Sequence, residues 1–378
     1  MIVAYSQVPK ARDLAAIGAT ALLLRAAVFA IVTGGYGYSA REYAQAGDGL
    51  SYEHYAAAMV GDRSQWTEYD KRVFPGYPAL IAVVHVVTRL DFGVCALLIT
   101  WISAAIVAIA SAVLFRDRRI GWAMVMLIPH WPVNSSLAMS EAPMLALAVG
   151  GLALGVSGMA APAGAALGMA MTVRPVACFP LAGLLIAQWL ADRRKEAVVS
   201  AIVAGVVVIG ALQWVQWLTG DALYSLRAYA NLPGAYSGSI FAWPFQSLLQ
   251  TTLFGHAPFA RIVSVWAHVI LALGACMLLA LKITSEKRTD GLERTATVWL
   301  AGNTLFTLCI ASGPYGWGFY HFPRFMIPAT PPLMWAFRRV LPKSGWIWFA
   351  LAVLMIWPTA LLVRQAVINV PLPAVFGR

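Results

Sequence analysis

The acidic, basic and histidine side chains of this chain are concentrated in one stretch, residues 34–72. They are Arg41, Glu42, Asp48, Glu53, His54, Asp62, Arg63, Glu68, Asp70, Lys71 and Arg72. A carboxylate in such a stretch could take the proton of a hydroxyl group, and neighbouring cations could stabilise a departing anion. The simpler interpretation is an exposed loop that carries charge to stay hydrated.

Asp48 is the candidate catalytic residue because of the residues that follow it. Tyr52 and Tyr55 fall at i+4 and i+7 from Asp48, on one face of a helix, and residues 56–60 are apolar. The spacing predicts a short amphipathic helix at the membrane interface with a carboxylate at its N-terminal end. A carboxylate in a partly buried cavity is a suitable base, since desolvation raises its pKa towards neutrality.

An anionic leaving group would need preorganised cations in a water-poor site. Four residues are candidates for binding a phosphate in this way: Lys71, Arg72, Arg174 and Arg324. Arg174 and Arg324 both adjoin apolar segments, so the alternative for each is an ordinary arginine that reaches the membrane interface.

Further polar and aromatic residues are candidates for contacting a substrate. They are Tyr52, Tyr55, Glu53, His54, Tyr77, Glu141, His321 and Trp243. Glu141 follows Ser140 at a helix start, where capping and the helix dipole also explain a carboxylate. Lone histidines and tryptophans near a membrane surface are commonly structural. No cluster with metal-ligand spacing occurs, so no cofactor is assigned, and the need for a divalent cation stays open.

The rest of the sequence must position these residues within a membrane. Hydrophobic residues make up 60% of the chain, charged residues 11%, and the mean hydropathy is +0.72. Apolar runs occupy residues 14–33, 74–88, 92–115, 120–135, 141–157, 160–173, 175–190, 197–218, 259–281, 296–312, 325–340 and 346–364. Because about 20 residues cross a bilayer, we expect an all-α bundle of about 10–12 membrane segments, forming one domain over residues 1–378.

Basic links set the expected orientation. Residues 192–195, 282–294 and 338–343 are rich in Lys and Arg and should face the cytoplasm. Residues 34–73, the first polar loop, then lie outside, but two full crossings would also put Arg116 outside, against the same rule. The conflict is resolved if residues 74–90, which have Pro75 and Pro78 at their start, form a re-entrant or tilted segment that does not fully cross the membrane. The net charge of +11 reflects these links and does not indicate nucleic acid.

Four short motifs carry a resemblance to a known family. They are Asp48 with Tyr52 four residues on, Pro75-Gly76-Tyr77-Pro78, Ser140-Glu141 and Thr172-Val173-Arg174-Pro175. In order and spacing the sequence resembles GT-C membrane glycosyltransferases, in particular bacterial members of the dolichyl-phosphate-mannose mannosyltransferase and aminoarabinose transferase group. It departs from them at Gly49, where many members have a second acidic residue.

The resemblance implies an inverting glycosyltransferase of the bacterial inner membrane. Its donor would be a polyprenyl-phosphate sugar, its acceptor a glycan, lipid or protein on the extracytoplasmic face, and its base Asp48. Two other classes stay open from the sequence: a flippase or ligase for lipid-linked glycans, which would share a basic lipid-phosphate site, and a secondary transporter. A membrane scaffold without activity would tolerate any replacement of Asp48.

Overall fold

The apolar runs form α-helices in the computed structural model, which describes residues 9–127, 130–230, 241–285, 291–310 and 317–368. Within these ranges the only β-type pairing is an isolated bridge between Phe241 and Ile310. The chain divides into two compact units, residues 1–149 with 341–378, and residues 150–340. The expectation of one domain stays a prediction.

The described residues of the first unit form eight helices before the division and one after it. They are α1 (Ala11–Ala30), α2 (Ala40–Gln45), α3 (Gly49–Met59), α4 (Gly76–Thr88), α5 (Phe92–Leu114), α6 (Arg118–Met126), α7 (His130–Ser136) and the start of α8 (Glu141–Val156). The C-terminal helix, Gly345–Ile368, packs against α1, α6 and α7. A π-helical turn, Ile31–Gly35, continues α1, and a 3₁₀ turn, Asp70–Arg72, precedes α4.

The second unit contains the other helices that the structure describes. They are α9 (Ala160–Val173), α10 (Cys178–Leu190), α11 (Arg194–Thr219), α12 (Tyr224–Ala230), α13 (Gln246–Phe254), α14 (Phe259–Ser285), α15 (Gly291–Leu308), α16 (Trp317–Phe325) and α17 (Thr330–Ala336). The helix Gly345–Ile368 of the first unit is therefore α18.

The chain is an integral membrane protein. Five helices in the described ranges are long and apolar enough to cross a bilayer: Ala11–Gly35, Phe92–Leu114, Arg194–Thr219, Phe259–Ser285 and Gly345–Ile368. The pair α7 and α8, bent by 103°, makes a sixth if it is one broken span. Shorter apolar helices are Gly76–Thr88, Ala160–Val173 and Pro175–Leu190. The all-helical membrane fold is confirmed; the five long helices, the bent pair and the three shorter helices make nine apolar segments in the described ranges, against the predicted 10–12.

The helix over residues 76–88 bears on the orientation of the first polar loop. Its 13 residues extend about 20 Å at 1.5 Å per residue, against a hydrocarbon thickness of about 30 Å. This length agrees with a re-entrant or tilted segment. The side of the membrane on which the loop lies stays a prediction.

Small residues let the helices of each unit approach closely, as is usual where lipid supplies no hydrophobic driving force between helices. In the first unit, a Cβ on Gly121 would lie 2.8 Å from the carbonyl oxygen of Ala108. In the second, Cβ atoms on Gly164 and Gly168 of α9 would lie 2.4 Å from the Ser200 carbonyl oxygen and 2.9 Å from the backbone of Ala204. Backbone contact therefore sets the spacing of α9 and α11.

Candidate active site in the first polar loop

Asp48 lies immediately before α3 and is paired with Arg72. Nη2 of Arg72 donates to Oδ1 of Asp48 over 2.9 Å, and the two side chains are 7% and 20% exposed. The Asp48 side chain does not cap α3, so its carboxylate is directed to the cation instead of the helix backbone. The structure thus brings together a sequence-predicted base and a sequence-predicted phosphate-binding residue, 24 positions apart.

Glycine after Asp48 is required by the packing of the loop. A Cβ on Gly49 would lie 2.0 Å from the carbonyl oxygen of Ala44, well inside van der Waals contact. This is a physical reason why residue 49 is not the second acid that the resembling family often has. Any side chain there would have to displace α2 from the start of α3.

Gly49→Ala should therefore destabilise the protein by about 1–3 kcal/mol through overpacking. Gly34→Ala is a matched control, because nothing lies within 4 Å of a Cβ on Gly34; we expect it to change stability by less than about 0.5 kcal/mol. Thermal and denaturant unfolding of both purified variants measures the difference. Equal stability of the two variants would contradict the close approach at Gly49.

The three candidate tyrosines are buried and hold α3 in place. Tyr52 donates a hydrogen bond to Oγ of Ser140 over 2.8 Å, and its ring packs edge-on against Tyr77 at 4.8 Å. Tyr77 hydrogen-bonds to the Ala96 carbonyl oxygen and to Thr100 of α5. Tyr55 stacks on Trp66, and burial raises the pKa of Tyr55 above its ordinary value. Their contact with a substrate stays a prediction.

Glu141 begins α8 and is completely buried. Ala138 and Met139, which precede α8, lie against the glycines on either side of Asp48. A Cβ added to Gly47 would be 3.1 Å from Sδ of Met139, and a Cβ added to Gly49 would be 3.5 Å from Cβ of Ala138. The first unit therefore places the start of α8 beside the start of α3. A substrate role for Glu141 stays a prediction.

Glu53 and Lys71 are half-buried and are paired within the loop. Glu53 accepts a hydrogen bond from Gln45 over 3.0 Å and lies 4.0 Å from Arg41. Lys71 pairs with Glu68 and lies over the ring of Trp66, 5.0 Å from its centroid. The Lys71 ammonium group is therefore held by contacts within the loop, and its binding of a phosphate stays a prediction.

Asp70 is the residue that sequence reasoning missed. It is 3% exposed, and its Oδ2 accepts hydrogen bonds from the backbone N–H and Oγ1 of Thr67, at 2.9 and 2.8 Å. Nδ1 of His54 lies 3.1 Å from the same oxygen. One signal was available: Thr67 and Asp70 match the S/T-x-x-D/E pattern in which the acid binds the N–H of the capping residue. The pairing with His54 had no local signal.

The charge of Asp70 should make the loop sensitive to acid. Burial raises the pKa of Asp70, but hydrogen bonds from His54, Thr67 and Ser51 lower it more, and the net pKa lies below the ordinary value. The stability that these bonds supply is present above the pKa of the unfolded chain, about 3.9, and is lost as the pH falls through the lower folded value.

We therefore expect hydrogen exchange of the amides in residues 61–75 to accelerate as the pH falls below about 4, after correction for the intrinsic exchange rate. In Asp70→Asn, exchange should already be fast at pH 6 and should show no such step. If hydrogen exchange accelerates by the same factor in the wild type and in Asp70→Asn, the acid sensitivity belongs to a group other than Asp70.

Four sequence-predicted residues lie in the second unit. Arg174 follows α9 in an extended conformation, before the 3₁₀ turn Pro175–Ala177. Arg324 and His321 lie on α16, and Trp243 is 82% exposed. Parts of the two late aromatic loops, residues 231–240 and 311–316, lie outside the described residues. The roles of all four stay predictions.

No group of three or more His, Cys, Asp or Glu side chains that could hold a metal ion occurs in the described part of the chain. The structure therefore adds no metal-ligand candidate to those considered from the sequence, and the divalent cation stays open.

Comparison with solved structures shows a likeness in fold. No known family model matches the chain, and no curated protein does. The crystal structure of ArnT from Cupriavidus metallidurans in the apo state is similar over 88% of this chain and 69% of that one, with 15% sequence identity and a TM-score of 0.47. A likeness at this level assigns no activity to the chain.

Proposed function

We propose that this protein is a GT-C-type membrane glycosyltransferase that moves a monosaccharide from a polyprenyl-phosphate sugar to an acceptor, with inversion. The observation that carries the proposal is the pairing of Asp48 with Arg72 at the start of α3. It puts a candidate base and a candidate phosphate-binding cation side by side in the first polar loop. The four motifs of the resembling family support the same reading, and three of them supply residues of this site: Asp48 with Tyr52, Tyr77, and Ser140 with Glu141.

The reaction that fits this pair is a single displacement. The acceptor hydroxyl oxygen attacks the anomeric carbon as its proton passes to the Asp48 carboxylate. The bond from that carbon to the phosphate oxygen breaks, and the electron pair leaves with the polyprenyl phosphate. Attack from the side opposite the leaving group inverts the anomeric carbon. Arg72 and Lys71 stabilise the negative charge that develops on the phosphate.

The ion pair also orients the base before the donor arrives. Arg72 donates a hydrogen bond to Oδ1 of Asp48, so this carboxylate oxygen is occupied in the absence of donor. When the lipid phosphate competes for the guanidinium, that hydrogen bond weakens and the oxygen can accept the proton of the acceptor hydroxyl. Donor binding and base activation are coupled through Arg72 in this scheme.

The remaining assignments follow the sequence predictions. Arg174 and Arg324 are proposed as further cations for the lipid phosphate. Tyr52, Tyr55, Glu53, His54, Tyr77, Glu141, His321 and Trp243 are proposed for sugar or acceptor recognition. The acceptor is a glycan, lipid or protein, and the site faces the extracytoplasmic side of a bacterial inner membrane.

The experiment that tests this function is a transfer assay with a panel of donors. Membranes containing the protein are incubated with radiolabelled polyprenyl-phosphate sugars, and the labelled product is identified. We expect one sugar to move to an acceptor in the presence of the protein and not in membranes lacking it. If no polyprenyl-phosphate sugar gives a labelled product, while nucleotide sugars do, the proposed donor class is wrong.

A further inference from the structure

The segment that carries Lys71 and Arg72 contacts α3 through polar groups and through the stacking of Trp66 on Tyr55. Between the end of α3 and the start of α4, residues 61–69 are exposed apart from the half-buried Trp66, and Asp70 is the first buried residue. Asp70 and Arg72 belong to the same 3₁₀ turn. Whatever fixes Asp70 therefore also fixes the direction from which Arg72 reaches Asp48.

Asp70 is fixed from two sides. Thr67 of its own segment donates twice to Oδ2, as described above, and closes the turn. His54 and Ser51, both on α3, supply the other hydrogen bonds. Because an ionised carboxylate only accepts hydrogen bonds, Nδ1 of His54 carries the hydrogen of this pair. The turn is thus attached to α3 at Ser51 and His54 through Asp70, and at Asp48 through Arg72.

We propose that Asp70 is a positioning residue for the donor-phosphate site: it fixes the 3₁₀ turn against α3 so that the Arg72 guanidinium is preorganised for the lipid phosphate. The inference rests on the proposed function, because it assigns Arg72 to that phosphate. The turn is attached at Asp48, just before α3, and at Ser51 and His54 on α3; these points are about 5–9 Å apart along the helix axis. Two separated attachments prevent the turn from rotating about either one of them.

The charge of Asp70 is essential to this role. An Asn at this position would keep the shape, and its carbonyl oxygen could take the place of Oδ2, but it would carry no negative charge. The carboxylate binds its donors through charge-assisted hydrogen bonds, which are roughly twice as strong as neutral ones. Asp70→Asn should therefore loosen the turn and leave Arg72 and Asp48 in place as side chains.

The test compares Asp70→Asn with Asp62→Asn in the purified full-length protein. Asp62 lies in the same segment, is exposed, and forms a local turn with Ser64, so it is a matched control. We expect Asp70→Asn to weaken binding of a polyprenyl phosphate, and to raise the donor KM, by about tenfold, with kcat changed less than threefold. Asp62→Asn should bind as the wild type does, and Asp70→Glu should recover part of the lost affinity.

The outcomes separate this inference from the proposed function. Donor affinity unchanged in Asp70→Asn but lost in Arg72→Gln would overturn the positioning role and keep the function. Affinity unchanged in both variants would overturn the assignment of Arg72 to the phosphate. If Asp70→Asn lowers the melting temperature while folded protein binds the donor normally, Asp70 is structural only, which also overturns the inference. If Asp62→Asn loses as much donor affinity as Asp70→Asn, the inference is also overturned.

Discussion

Asp48→Asn is expected to lower kcat for sugar transfer by about 10²- to 10⁴-fold, the range in which loss of a general base falls. Asn has nearly the same shape as Asp, and its carbonyl oxygen can still accept the hydrogen bond that Arg72 donates to Asp48. The variant loses the ability to take the acceptor proton. Donor affinity should stay within a few-fold of wild type, because Arg72 remains available to the phosphate.

Glu42→Gln is the matched control for this variant. Glu42 belongs to the same polar loop and forms a capping box with Ser39 at the start of α2, an arrangement that Gln can also adopt. Single-turnover transfer with saturating donor should be unchanged in Glu42→Gln and nearly abolished in Asp48→Asn. Transfer at near wild-type rate by Asp48→Asn would remove Asp48 from the mechanism, whatever its pairing with Arg72.

Arg72→Gln is the second change with a large expected effect. A hydrogen bond to a charged group contributes about 1.5–3 kcal/mol, so removing the guanidinium should weaken donor binding by roughly 10- to 150-fold. The rate of transfer should also fall, since the departing phosphate loses a stabilising charge. Arg72→Lys keeps the charge but not the planar donor geometry, and should give an intermediate affinity.

Arg63→Gln controls for the loss of one positive charge from the same loop. Arg63 is exposed, and its guanidinium lies 5.8 Å from the Trp66 ring centroid. Binding of a polyprenyl phosphate to the purified variants distinguishes a specific site from general attraction. If Arg63→Gln weakens binding as much as Arg72→Gln, the loop attracts the lipid by charge alone and the assignment of Arg72 is wrong.

The sequence predicted those features of the site that depend on local periodicity. The i, i+4 and i+7 spacing of Asp48, Tyr52 and Tyr55 fixes their common face as soon as residues 49–59 form a helix, which they do. The long apolar runs likewise become α1, α5, α11, α14 and α18, since a helix satisfies its own backbone in lipid.

Contacts between distant residues were not predicted, because no local pattern encodes them. Tyr52 and Ser140 are 88 positions apart, and Asp70 reaches His54 across an irregular loop. Arg72 was identified as a cation, but its pairing with Asp48 depends on the path of residues 61–75. Glycine is required at residue 49 because a side chain there would clash with the carbonyl oxygen of Ala44. The position of Ala44 is known only from the folded loop. The division into two units has no linker or change of composition to mark it.

The most direct test of the central claim follows the two parts of the donor in one experiment. Purified protein in lipid vesicles is given a polyprenyl-phosphate sugar labelled separately in the sugar and in the lipid, together with the acceptor identified by the donor panel. The account predicts that each sugar found on the acceptor is matched by one released polyprenyl phosphate, and that Asp48→Asn produces neither. Donor that crosses the bilayer with its sugar still attached, and no labelled acceptor, would show a flippase and contradict the account.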